Sequence, residues 1–177
     1  MKTLPLFCSL VIAFASASSA AQVKGKVVGV KGGNALEILN EGKVYSIKLH
    51  GIGCPAKNES FGKTSRRFAA DMAFMADVTL DIIAAESDGS FIGNVILADG
   101  KNMSAEMVKT GMAWWNGQAN PELPGLAKLE KNARETYAGL WATPYDDTDT
   151  DWGKEILAQR EMEGKGVAGL VSSNDRN

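Results

Sequence analysis

The stretch that most constrains this chain runs from Tyr45 to Ala56, Tyr-Ser-Ile-Lys-Leu-His-Gly-Ile-Gly-Cys-Pro-Ala. Its first half alternates, with Tyr45, Ile47 and Leu49 on one side and Ser46, Lys48 and His50 on the other, because successive strand side chains point to opposite faces. One face belongs to a core and the other is open to contacts. After His50 the alternation stops at Gly51, Gly53 and Pro55, residues that allow positive φ or fix φ and so turn the chain at the strand's end. A functional side chain placed here is held by a rigid strand running into a sharp loop.

The same logic orders the rest. Val23 to Lys31 and Leu36 to Leu39 read as two strands joined by Gly32-Gly33-Asn34, and Asn40-Glu41-Gly42 turns the chain into the Tyr45 strand. From Thr64 to Asp77 the period becomes helical, with Phe68, Met72 and Met75 as its apolar stripe. Two more strands follow, Val78 to Ala85 and Phe91 to Ala98, separated by Asp88-Gly89. Met103 to Met112 reads as a short helix capped near Asn102 or Ser104, with Met103, Met107 and Val108 turned inward. The last helix starts near Asn120-Pro121-Glu122, carries Leu126, Leu129, Ala133, Tyr137 and Leu140 on one face, and stops at Gly139. This order predicts an α+β, mainly β chain: a five-stranded OB-fold β-barrel with about three α-helices packed outside.

Composition fits one globular domain with short extensions, at 177 residues, 45% hydrophobic and 23% charged. Residues 1–20 read as a secretory signal peptide: Lys2 is its positive start, Leu4 to Phe14 its apolar core and Ser18-Ser19-Ala20 its cleavage site. That apolar run is too short to cross a bilayer, so no membrane span is expected in the mature chain. The expected organisation is the signal peptide, a barrel domain over 21–145, and an acidic linker with a short C-terminal helix or tail over 146–177, in a secreted or periplasmic protein. Cys8 falls inside the leader, leaving Cys54 as the single mature cysteine and no intrachain disulfide. The run Asp146 to Asp151 lacks the Gly and Glu of a calcium-binding EF-hand loop and reads as a solvated linker, after which Trp152 could dock on the domain ahead of the short helix. A formal charge of −2 speaks against a broad basic nucleic-acid surface and leaves room only for a local patch.

The frame Lys48-Leu49-x-Gly51-Ile52-x-x-Pro55 resembles the staphylococcal (micrococcal) nuclease, or thermonuclease, family, whose segment reads Arg-Leu-x-Gly-Ile-Asp-x-Pro-Glu. The likeness extends from about Val23 to Pro144. It includes the Gly-x-Val-x-x-Val opening, Asp99-Gly100, Glu-x-Val-x-x-Gly-x-Ala at Glu106 to Ala113, and Gly-Leu-Trp-Ala-x-Pro at Gly139 to Pro144. What the resemblance implies is phosphodiester hydrolysis with a calcium ion on hard oxygen ligands, a carboxylate that positions water, and guanidinium groups for developing charge.

Each implied position has changed. Asn34 and Gly53 stand where the family holds calcium with carboxylates. Lys48 replaces the first Arg, Ala56 the water-orienting Glu, and Ser90, or Phe91 one residue on, the second Arg. No metal site and no cofactor is therefore expected, and calcium belongs only to an active reading. The ligand-binding candidates are Lys48, His50, Trp114 and Trp115. Lys48 and His50 project from the same strand face, where no carboxylate of the family pattern remains, and Glu86, Asp88 and Ser90 lie on a loop able to reach His50. Exposed, the tryptophans would stack on bases; buried, they would seal the barrel against the last helix. Two functions stay open. One is a secreted or periplasmic pseudoenzyme that binds nucleic acid or a nucleotide weakly, or a protein at the cleft. The other is an active extracytoplasmic endonuclease cleaving DNA or RNA with an atypical site.

Overall fold

The computed structural model describes residues 22–59 and 61–142, together with Lys154. β1 (Gln22–Val30), β2 (Ala35–Asn40) and β3 (Lys43–Leu49) form the expected meander. After a two-residue strand β4 (Ile52–Gly53) and a helix, β5 (Asp77–Ala85) and β6 (Phe91–Ile96) complete a closed barrel in the order β1-β2-β3-β6-β5. β5 returns to β1 antiparallel, whereas β3 and β6 run parallel with Ile47 opposite Phe91 and Leu49 opposite Gly93. Closure is short at this seam, where only Ile47–Leu49 of β3 pair with Phe91–Gly93 of β6. Leu36, Ile38, Ile47, Leu49, Leu80 and Val95 fill the interior, so the alternation in β3 separates core from available face as its sequence indicated.

Outside the barrel lie α1 (Gly62–Ala73), α2 (Met103–Lys109) and α3 (Pro124–Glu135), followed by a 3-10 turn at Gly139–Trp141. α2 starts and packs as expected, Asn102 capping it by accepting a hydrogen bond from the Ala105 N–H at 3.2 Å and Met103, Met107 and Val108 being buried, but it ends at Lys109 rather than Met112, with Thr110 as its C-cap. The other two helices correct their sequence boundaries. α1 ends at Ala73 because the chain leaves the helix to pair with β1, Met75 N donating to Val27 O and Val27 N to Ala76 O. Met75 therefore sits at φ 62° and more than half exposed rather than in the apolar stripe. The buried ridge is instead Ser65, Ala69 and Ala73, small residues that bring the helix close, with Phe68 and Met72 half-buried beside it. α3 starts at Pro124 rather than Pro121 and ends at Glu135. Tyr137, at φ 52°, turns outward and is 72% exposed, and Gly139 opens the 3-10 turn instead of ending the helix.

A second, two-stranded pair was not legible. β4 pairs antiparallel with β7 (Trp114–Trp115), Ile52 opposite Trp115 and Gly53 opposite Trp114. Two-residue strands carry no periodicity to read. Among the described residues no helix is long and apolar enough to cross a membrane. The leader, the Asp146 to Asp151 run and Trp152 lie outside the described residues, as does the helix after it apart from Lys154, which is helical.

Candidate functional site

β3 delivers Lys48 to the mouth of a small cleft of 260 Å³, lined also by Lys31, Ala35, Asp88 and Ser90. Across it stands the loop joining β5 to β6, closed on itself by the Glu86 N–H donating to Ser90 O at 2.8 Å and turned at Gly89, φ 82°. The loop aims two carboxylates at the strand: Lys48 Nζ bonds Glu86 Oε2 and lies 3.2 Å from Asp88 Oδ2. Ser90, buried, ties them together, its Oγ placed to donate to Asp88 Oδ1 at 2.6 Å or Glu86 Oε2 at 2.9 Å while its N–H donates to Asp88 Oδ1 at 2.9 Å. The hydrogen bonds from Ser90, and then Lys48, hold the Asp88 carboxyl down at about 2. Glu86 is lowered by Lys48 and then Ser90, and Lys48 is raised by Glu86 and then Asp88. All three stay ionised around neutrality. One cation thus faces two anions, and the cluster offers an approaching phosphate net negative charge.

This corrects two sequence expectations. Glu86, Asp88 and Ser90 do gather, but at Lys48 rather than His50, and Lys48 does not stand without carboxylates. The two strand residues also part company: Leu49 ends β3, His50 N donates to Gly93 O, and Gly51 at φ 79° turns the chain. His50 lines a different cavity, its Nε2 3.9 Å from Glu122 Oε1.

The metal side of the implied site is filled in. A Cβ added at Gly53 would lie 2.5 Å from Trp114 Nε1 and 2.6 Å from its Cζ2, so no carboxylate fits there without displacing a buried indole. Beneath the first turn, Gly33 packs on Cys54 and Ser65, and a Cβ at Gly33 would come 2.8 Å from Cys54 Sγ. Ser65 Oγ donates to Met112 O at 2.6 Å, and Cys54 Sγ lies 3.7 Å from the same carbonyl. Burial pushes the Cys54 thiol up to about 12, against a smaller opposing effect of Ser65. It is an inert packing group. Asn34 contributes at most one neutral oxygen. The residues present do not fit a calcium ion, and among the described residues no group of three or more His, Cys, Asp or Glu side chains is placed to hold a metal.

Ala56 is exposed, and its N–H donates to Glu59 Oε2 at 2.6 Å. Glu59 was missed in the sequence because it lies three residues past the family position. Trp114 is only 2% exposed and packs with Ala133, Leu140 and Trp141, so its ring is no stacking platform. Trp115 is half-buried, and its Nε1 donates to Asn120 O at 3.1 Å. The structure therefore gathers Lys48, Glu86, Asp88 and Ser90, places Asn34 and Ala56 on loops and Gly53 in β4 against Trp114, and puts His50 and both tryptophans outside the Lys48 cluster.

A family model described as staphylococcal nuclease homologue matches residues 46–143. A protein of Escherichia coli O157:H7 named an uncharacterized endonuclease is 31% identical over 122 residues, spanning 69% of this chain and 79% of its own. Protein ParB of Escherichia coli is 30% identical over 152 residues, spanning 80% and 85%. The micrococcal nuclease of Shigella flexneri is 26% identical over 151 residues, spanning 80% and 87%.

Proposed function

The chain belongs to the staphylococcal nuclease family, and on that premise we propose that it is an exported, catalytically silent member that works by binding. The observation that carries this reading is the Trp114 indole in the space a carboxylate at Gly53 would need. Without that ligand, and with a neutral amide at Asn34, no divalent ion is held to polarise a phosphodiester. Lys48 is already answered by Glu86 and Asp88, and Lys31, the other cation lining the cleft, by Glu37 at 3.0 Å. Nucleic acid or a nucleotide is then held weakly at this cleft, and the two carboxylates favour a protein surface carrying basic side chains. Export rests on the leader pattern of residues 1–20 and places the protein in the periplasm or outside the cell. Neither calcium nor another cofactor is required. Incubating plasmid DNA with the mature protein, with calcium or with a chelator, tests the reading; no chelator-sensitive cleavage is expected.

The endonuclease and nuclease names of relatives near 30% identity favour a second reading, an active extracytoplasmic endonuclease with an atypical site. In it Glu59, the carboxylate at the Ala56 backbone, would take the water-orienting role. The variant Glu59→Gln separates the two: it abolishes cleavage under this reading and changes nothing under the first.

A further inference from the structure

α3 carries on its outer face a groove of 510 Å³ that shares no lining residue with the Lys48 cleft or with the cavity at His50. Its apolar lining is Trp115 of β7 and Ala127, and its cations are Lys128, Lys131 and Arg134, three residues apart and so on one side of the helix. The cations are incompletely answered. Arg134 Nη2 bonds the buried Glu130 Oε1 at 3.0 Å, and Lys131 lies 3.9 Å from Glu135 with both side chains open to solvent. Lys128 pairs with no carboxylate among the described residues. Positive charge thus stands beside an indole, on a chain whose formal charge is −2. Trp115 and Glu130 each make a further interaction besides those named.

The chain itself arrives at this face. After α3 the 3-10 turn sets the Trp141 ring under Arg134, whose guanidinium carbon is 4.5 Å from the ring centroid, and the exposed Ala142 follows. Beyond Ala142 the sequence concentrates negative charge: Asp146, Asp147, Asp149 and Asp151 come with no Lys or Arg before Lys154, and Trp152 follows them directly. Residues 143–151 span at most about 30 Å when extended. The α3 face from Ala127 to Glu135 is only about 12 Å long. Trp152 can therefore reach any part of the groove.

We propose that segment 146–152 of the same chain seats in this groove, its aspartates against Lys128 and Lys131 and the Trp152 ring against Trp115. An acidic run matches a basic rim, and an aromatic ring matches an apolar lining. Single exposed ion pairs contribute little. Tethering changes the balance, because a short linker holds the segment at an effective concentration on the order of millimolar. The seated segment braces α3, whose Ala133 packs with Trp114, and so backs the indole that fills the space beside Gly53. None of this depends on whether the Lys48 cleft binds or hydrolyses anything.

Protein of residues 21–177 tests the proposal by NMR, as wild type, as Trp152→Ala, and with Asp146, Asp147, Asp149 and Asp151 all changed to Asn. Both variants are expected to shift the amides of residues 127–135 and the Trp115 indole N–H while leaving β1, β2 and β3 unmoved. Salt at about 1 M, where screening acts within about 3 Å, should carry the wild-type signals towards the same positions. Lys128→Glu with Lys131→Glu should release the segment from the other side, and adding Asp147→Lys with Asp149→Lys should restore the wild-type Trp115 signal. Signals that hold on about tenfold dilution of a monomer identify the occupant as the chain's own segment. Signals that move on dilution as a dimer is lost would make the occupant a second copy and overturn the proposal. Residues 127–135 and the Trp115 indole unmoved in both variants would overturn it equally.

Discussion

Gly53 and Trp114 face each other across the β4–β7 pair, and the indole occupies the volume that a side chain at position 53 would take. The loss of a carboxylate and the placing of a tryptophan are thus one packing event. Gly53→Asp is expected to destabilise the fold by about 1–3 kcal/mol through overpacking and to gain no calcium affinity. Denaturant titration measures the first effect. A stable variant with a calcium-dependent melting temperature would show that Trp114 yields.

Wild-type protein should likewise be indifferent to calcium. A ligand at a hundredfold excess over its Kd stabilises by about 2.7 kcal/mol, which a thermal scan at millimolar calcium resolves easily. No shift between calcium and chelator is expected for wild type or for Asn34→Ala. A chelator-reversible shift lost in Asn34→Ala would demonstrate a metal site at the first turn.

Neutralising the loop should free the strand. Glu86→Gln with Asp88→Asn leaves Lys48 without its counter-charges, so a labelled oligonucleotide should bind the double variant more tightly than wild type. Adding Lys48→Ala should erase the gain. One newly neutralised duplex phosphate should steepen the slope of log K against log salt by about −0.9. Unchanged affinity in the double variant would mean that the loop does not govern the cleft.

The same cluster sets an acid limb. Asp88 sits near 2 in the fold against an ordinary 3.8, so the native state binds fewer protons there than the unfolded chain. Its contribution is present above about pH 4 and is lost as pH falls toward 2. Denaturant midpoints measured through that window should fall more steeply for wild type than for Asp88→Asn. The difference should be small and salt-sensitive, because Asp88 is well exposed to solvent.

Cys54, partly buried beneath the first turn, should react slowly. With its ionisation pushed up to about 12 by burial, little thiolate exists at pH 8. Alkylation should be slow in the native mature protein and should reach one thiol per chain in denaturant. Fast native labelling would contradict the packing of Gly33, Cys54 and Ser65.

Alternation and turn residues made the barrel legible, as Ile47 and Leu49 buried beside a half-exposed Lys48 illustrate. Helix ends were less so. Met75 and Tyr137 continue the apolar spacing of their helices, yet both adopt positive φ, where tertiary contacts rather than period decide the backbone. At the site the sequence shows Asn34, Gly53 and Ala56 departing from the family's motif, because a local motif registers which residue stands at each position. What fills those places was not legible. Glu86 and Asp88 reach Lys48 from 38 and 40 residues away, and Trp114 meets Gly53 through a two-residue strand. Such pairings follow from barrel register and have no local pattern.

The central claim is that this nuclease-family barrel does not hydrolyse phosphodiesters, and plasmid DNA tests it most directly. Supercoiled plasmid is incubated with purified protein of residues 21–177 in millimolar calcium and in chelator, and the products are separated on a gel. The expected result is supercoiled plasmid, equally intact in both. Calcium-dependent nicking and linearisation that the chelator stops, and that Glu59→Gln or Asn34→Ala removes, would contradict the claim and make the chain an active endonuclease.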